Sequence, residues 1–222
     1  MSARVLVISA HPDDETLGCG GTLLRHGEAG DDLHWLVLTA PWEPMFEPEW
    51  ISRRKREVGQ VSEAYGMASV RELGLPTARL DTLPSAELID PIRELATLLQ
   101  PDIVYVVHGG DVHSDHRAAF SATVSALKPF RSSRTASIYS YECTSSTNMS
   151  APSIQNAFVP QMYVDISGQM ERKLGILELY ETEIFDPPHP RSLAAVDALA
   201  RYRGATVSVQ HAEAFAVIRH IW

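Results

Sequence analysis

Hydrophobic positions are distributed along the chain in two alternating patterns. Val5–Ile8 and Ile103–Val107 are short, unbroken apolar runs rich in β-branched residues, and Leu33–Leu38 is a further, largely apolar strand candidate. Runs of that length and composition suit strands buried on both faces of a sheet. Between them the apolar positions recur at helical spacing: Leu17, Leu23 and Leu24 within Thr16–Glu28, and Leu88, Ile89, Ile92, Leu95, Ala96 and Leu99 within Ala86–Gln100. Glu49–Tyr65 predicts a third, charged helix. Strand, helix and strand in repetition predict βαβ units, and therefore an α/β protein with a mostly parallel central sheet.

The same pattern predicts shorter elements further on. Ser69–Leu73 reads as a strand ended by a turn at Gly74–Pro76. Ala118–Leu127 reads as a helix, and Ser137–Tyr141, Met162–Ile166 and Ala212–Ile218 read as strands. Ser167–Glu183 predicts a helix with Ser167 as its N-cap, and Leu193–Tyr202 predicts another, ended by Gly204. Gly18, Gly20 and Gly21 fall inside the first helix. Glycine normally weakens a helix, so here they imply close packing on the sheet. The polar loop Glu142–Asn156 is long enough to be functional, and Ala40–Pro48 and Phe185–Ser192 are Pro-rich loops.

Composition narrows the class. The 222 residues suffice for one domain, 1–222, with the part from about 160 contributing extra strands and helices. A formal charge of −9 disfavours nucleic-acid and anionic-membrane partners, which need a basic surface. No apolar run approaches a membrane span. Two cysteines, Cys19 and Cys143, give no disulfide framework, so a reducing, cytoplasmic setting is expected. A homo-oligomer is left open.

The chemistry is concentrated in two places. His11-Pro-Asp-Asp-Glu15 follows the first strand, and His108-Gly-Gly-Asp-Val-His-Ser-Asp-His116 follows Ile103–Val107. Both clusters therefore occupy the carboxyl ends of predicted parallel strands, where α/β sheets bind ligands. Crowded ionisable groups are costly unless something balances them, and a divalent metal does so. His11, Asp13, Asp14, Glu15, His113, Asp115 and His116 exceed the three ligands that a catalytic site requires. The surplus suits acid–base work in metal-assisted hydrolysis of a carbonyl bond. Spacing alone does not say which aspartate ligates and which acts as base. The glycines at 18–21 do not form a dinucleotide fingerprint, because Leu23 occupies the third glycine position and the strand ends well before them. A His/carboxylate set also matches non-haem iron oxygenases, but the alternation of strand and helix argues against that class.

His11-Pro-Asp-Asp-Glu15 together with His113-Ser-Asp-His116 resembles the PIG-L (LmbE-like) family of zinc-dependent N-deacetylases, which act on N-acetylglucosaminyl substrates. The resemblance extends over roughly the first 130 residues and implies a Rossmann-like three-layer sandwich. By position it implies that His11, Asp14 and His116 hold the metal, zinc or another divalent first-row ion. It makes Asp13 the general base, His113 the oxyanion-stabilising group that also serves the leaving amine, and Asp115 a partner that orients a histidine. Glu15 receives no role. In the family the helix after the second strand often supplies an arginine to the substrate; Arg54 fits that spacing, with Arg53 as competitor, and Arg191 is a second substrate-binding candidate. Several members carry an aromatic residue shortly before the HxDH histidine. Here Gly109–Val112 stands in its place, so that side chain is expected from elsewhere, for instance Trp42 or Tyr141.

The expected activity is hydrolysis of the acetamide of an N-acetylated amino sugar or its conjugate, giving free amine and acetate. The alternatives are deacylation of another small amide, or a catalytically silent metal-binding module.

Overall fold

The computed structural model describes residues 2–130 and 135–221. Its strands are β1 (Arg4–Ser9), β2 (Asp32–Ala40), β3 (Ser69–Pro76), β4 (Ile103–Val107), β5 (Ser137–Tyr141), β6 (Met162–Asp165) and β7 (Ala212–His220). Its helices are α1 (Asp14–Glu28), α2 (Pro48–Tyr65), α3 (Ser85–Leu99), α4 (Ser114–Ala126), α5 (Met170–Leu177) and α6 (Leu193–Ala205). Among the described residues the strands form a seven-stranded sheet in the order β3-β2-β1-β4-β5-β7-β6. The first five are parallel, and β7 runs antiparallel to both β5 and β6. The fold is thus α/β with a mostly parallel sheet.

β1 lies inside the sheet between β2 and β4, where Val5, Leu6, Val7 and Ile8 are wholly buried. Each such side chain contributes about 1.5–3 kcal/mol when removed from water. α1 packs on α2 and α5, and α3 packs on α4, with β1 and β4 touched from both groups. α1 reaches its neighbours closely through its glycines. A Cβ at Gly18 would stand 2.1 Å from the Tyr141 ring, and one at Gly21 would stand 2.7 Å from Ile166. The helix kinks at Cys19 (φ −140°, ψ 18°). Past the kink, the free N–H groups of Gly21 and Thr22 donate to Glu213 at 2.8 and 2.7 Å, and Lys173 donates to the same carboxylate at 2.7 Å. A buried carboxylate at a helix start needs such partners.

Four expectations are corrected. β3 continues through Gly74-Leu75-Pro76 instead of turning there. A register shift opposite Val37–Thr39 and the positive φ of Gly74 (69°) absorb the irregularity that the sequence suggests is a turn. The predicted helix over Ser167–Glu183 is only Met170–Leu177, with Gln169 at its N-cap. Ser167 instead donates its hydroxyl to Asp165 at 2.6 Å. Gly204 lies inside α6 and does not stop it; a Cβ there would meet the Val209 carbonyl at 2.7 Å, so the glycine admits the returning chain. Finally, α4 starts at Ser114, within the second cluster, not at Ala118.

Candidate active site

β1 and β4 are neighbours, and the chain leaves them toward opposite sides of the sheet. A crevice opens at such a switch point, above the strands' carboxyl ends. The two clusters meet in it. His116 Nε2 lies 3.2 Å from Asp14 Oδ1 and 3.3 Å from His11 Nδ1. His11 Nδ1 lies 3.6 Å from Asp14 Oδ2, which also accepts the His11 backbone N–H at 2.8 Å. One donor atom from each of the three residues lies within 4.8 Å of the others.

The far nitrogen of each imidazole is fixed by a carboxylate. His11 Nε2 sits 2.9 Å from Asp115 Oδ2, and Asp115 is anchored in turn by the N–H groups of Ala78 (2.6 Å) and Leu80 (2.9 Å). His116 Nδ1 sits 3.0 Å from Asp111 Oδ2, which also accepts Ser146 (2.9 Å) and Thr147 (2.7 Å). Burial disfavours a charged His116, but the Asp14 and Asp111 carboxylates outweigh it and raise its pKa to about 10. Asp14 is likewise buried, yet His116 and His11 hold it well below the usual carboxylate range.

The adjacent aspartates point apart. Asp13 accepts Arg191 Nη1 at 3.1 Å and lines a cavity of about 280 Å³ that opens beside the cluster. Its backbone has φ 125°, a region that costs a non-glycine residue energy. Glu15 Oε2 accepts the Asp13 N–H at 3.2 Å, while Glu15 Oε1 accepts the hydroxyls of Thr16 and Tyr180, both at 2.6 Å. Burial raises the Asp13 carboxyl, and Arg191 opposes that rise. Glu15, to which the sequence assigns no role, is the buried hub beneath Asp13.

His113 is the N-cap of α4, its Nδ1 accepting the Asp115 N–H at 3.2 Å. Burial and the charges of His11 and His116 lower its pKa to about 4. The imidazole is therefore neutral at pH 7, with its proton on Nε2.

The cavity's remaining walls come from elsewhere in the chain. Arg54 is buried and donates to Glu57 (3.2 Å) and Glu183 (3.0 Å), whereas Arg53 is half-buried beside Glu181. Arg191 donates to Ser145 at 2.8 Å and also to Glu183. Glu183 is raised to about 6 by burial first and by Asp13 next. The apolar wall is Pro41, Met45, Phe46 and Trp50, with the Phe46 and Trp50 rings stacked at 4.5 Å. Neither aromatic residue expected at the site is there. Tyr141 is wholly buried and donates to the Ile8 carbonyl at 3.0 Å. Trp42 donates to the Thr77 carbonyl under Arg79 and does not line the cavity.

A family model described as GlcNAc-PI de-N-acetylase, PIG-L, matches residues 6–127, more than half of the chain. The chain belongs to the PIG-L family. The relatives include the uncharacterized deacetylase YaiS of Escherichia coli K12, 27% identical over 170 residues, which covers 73% of this chain and 81% of YaiS. A 1D-myo-inositol 2-acetamido-2-deoxy-alpha-D-glucopyranoside deacetylase of Kineococcus radiotolerans is 30% identical over 160 residues, 56% of this chain; the match spans only 44% of that enzyme. Among solved structures, the conserved protein TT1542 of Thermus thermophilus superposes with a TM-score of 0.77 at 27% identity, covering 99% of this chain and 96% of that one.

The PIG-L match contains His11, Asp13, Asp14, Arg54, Asp111, His113, Asp115 and His116, but ends before Glu183 and Arg191. Two site residues escape a sequence reading. Asp111 is legible only as a carboxylate five positions before His116, within a glycine-rich segment. Glu183 sits at the end of an overlong predicted helix, where a charge reads as solvated.

Proposed function

We propose that the protein is a metal-dependent N-deacetylase of an N-acetylated amino sugar or its conjugate, and that residues 1–222 act as one catalytic unit. The observation that carries this reading is the convergence of His11, Asp14 and His116 beside one cavity that His11, Asp13 and His113 line.

Two imidazoles and a carboxylate form a donor set suited to zinc or another first-row divalent ion. The carboxylates behind both imidazoles fit the same reading, since they fix which nitrogen faces the ion. His11 Nδ1, Asp14 and His116 Nε2 would hold it. A second grouping, His11, His113 and Asp115, is equally close. It fits less well, because both Asp115 oxygens already accept backbone N–H groups and His113 Nδ1 caps a helix. When bound, the ion polarises the acetamide carbonyl and lowers the pKa of water.

The chain's own groups do the rest. Asp13, buried and with a raised pKa, takes the proton of the attacking water. His113 presents Nε2–H to the oxyanion as the carbonyl carbon becomes tetrahedral. Its proton is already placed for donation because Nδ1 is occupied. When the C–N bond breaks, the proton held by Asp13 can pass to the leaving amine, giving acetate and free amine. Arg191 keeps Asp13 turned to the cavity, and Arg54 braces Glu183 opposite.

Incubation of the metal-loaded protein with N-acetylglucosaminyl glycosides should release acetate and a primary amine in equal amounts. Failure to release either from any such glycoside would overturn the proposal.

A further inference from the structure

We infer that the substrate is an uncharged N-acetylglucosaminyl conjugate, because each guanidinium described on the cavity wall is already paired with carboxylates. This rests on the deacetylase reading and narrows its substrate class.

Two guanidinium groups line the cavity, Arg54 and Arg191. Groups of this kind are the usual receivers of an anionic sugar or aglycone. Here both are engaged by carboxylates. Arg54 uses Nη1 on Glu57 and Nη2 on Glu183, and its planar group lies over the rings of Trp50 (5.5 Å) and Tyr180 (5.2 Å). Arg191 uses Nη1 on Asp13 and Glu183 and Nε on Ser145. Two cations thus face three carboxylates: Asp13, Glu57 and Glu183. An incoming anion must either displace one of these carboxylates or lie beside them, and like charges brought together in a partly dry site repel strongly.

The metal cluster does not supply the missing positive charge. A divalent ion there would already be matched by Asp14, Asp111 and Asp115, all buried. Arg79 is exposed, stacks on Trp42 at 4.0 Å, and is not among the residues lining the cavity. The formal charge of −9 further disfavours anionic ligands at long range. What the wall does offer is polar acceptors on one side and the stacked Phe46–Trp50 surface on the other. Hydroxyl groups suit the first, and the C–H face of a pyranose suits the second.

The test compares kcat/KM for two sets of probes on the metal-loaded protein. The neutral set is methyl N-acetylglucosaminide and N,N'-diacetylchitobiose. The anionic set is N-acetylglucosamine 1-phosphate, its 6-phosphate and its uridine diphosphate conjugate. The neutral set should be favoured at least about tenfold, the scale of one uncompensated charge contact. Glu183→Gln, which removes a carboxylate and keeps both arginines, should narrow that gap at least about threefold, chiefly by lowering KM for the anionic probes. Should that variant fail to fold, the dissociation constants of both sets for Asp13→Asn give the same comparison by calorimetry. Anionic probes processed as well as neutral ones would overturn this inference and leave the deacetylase reading standing. Absence of acetate from every probe would overturn the deacetylase reading itself, and this inference with it.

Discussion

The Tyr180 hydroxyl donates to Glu15 Oε1 at 2.6 Å, joining residues 165 positions apart. Through that bond the last third of the chain holds the loop that carries Asp13, because Glu15 Oε2 accepts the Asp13 N–H. Tyr180→Phe leaves Glu15 Oε1 with Thr16 alone. Burial raises the Glu15 pKa to about 7, so the expected cost is about 1 kcal/mol, the usual net contribution of an intramolecular hydrogen bond. Urea unfolding of the two proteins checks it; coincident midpoints would show that the bond contributes nothing.

Asp111 should matter for metal although it touches none. It fixes His116 Nδ1 and is itself held by Ser146 and Thr147. Asp111→Asn should weaken metal affinity about 10–100-fold, as is usual for a carboxylate behind a ligating imidazole. Competition against a chromophoric chelator measures this, and equal affinities would remove Asp111 from that role.

Metal uptake should compete with protons. In the metal-free protein His116 has a pKa of about 10, so at neutral pH it carries a proton that a metal ion must displace. Below that pKa, raising pH removes the competitor, so affinity should rise by up to about tenfold per pH unit for each proton displaced. Calorimetry in buffers of different ionisation enthalpy should register proton release. A heat of binding independent of the buffer would contradict the protonated state of His116.

Asp13→Asn removes the proposed base without touching His11, Asp14 or His116. Metal content should stay at the wild-type level while kcat falls about 10²-fold or more. Near-normal turnover would assign the base elsewhere, with Glu183 the next carboxyl on the cavity wall.

Much of this arrangement can be read from residues alone. The buried runs at β1, β2 and β4 are unambiguous because a central strand, covered on both faces, is what buries four or five consecutive apolar side chains. The meeting of the two clusters follows from parallel strands sharing one edge. What escapes depends on tertiary contacts. Gly74 and Pro76 read as a turn because nothing local announces that β2 shifts register to keep β3 paired. Leu177–Glu183 continues a helical pattern, but the chain turns there and Tyr180 bonds to Glu15. Gly204 looks like a helix stop, but it lets Val209 approach. The Lys173–Glu213 pair, 3% and 4% exposed in its side chains, has no signature in a linear sequence. Each of its members looks like an ordinary surface charge until α1 kinks beside it.

The adjacency of β1 and β4 also sets an order of events during folding. His11 and His116 face each other at 3.3 Å but are 105 residues apart, with α1, β2, α2, β3 and α3 strung between them. No local segment can assemble the cluster, so its loop-closure entropy is lost only when β4 docks beside β1 and α4 starts from His113. A nascent chain that stops before α4 carries two of the three donors and no site. Metal capture would therefore act as a clock on synthesis, registering the moment at which the centre of the sheet closes.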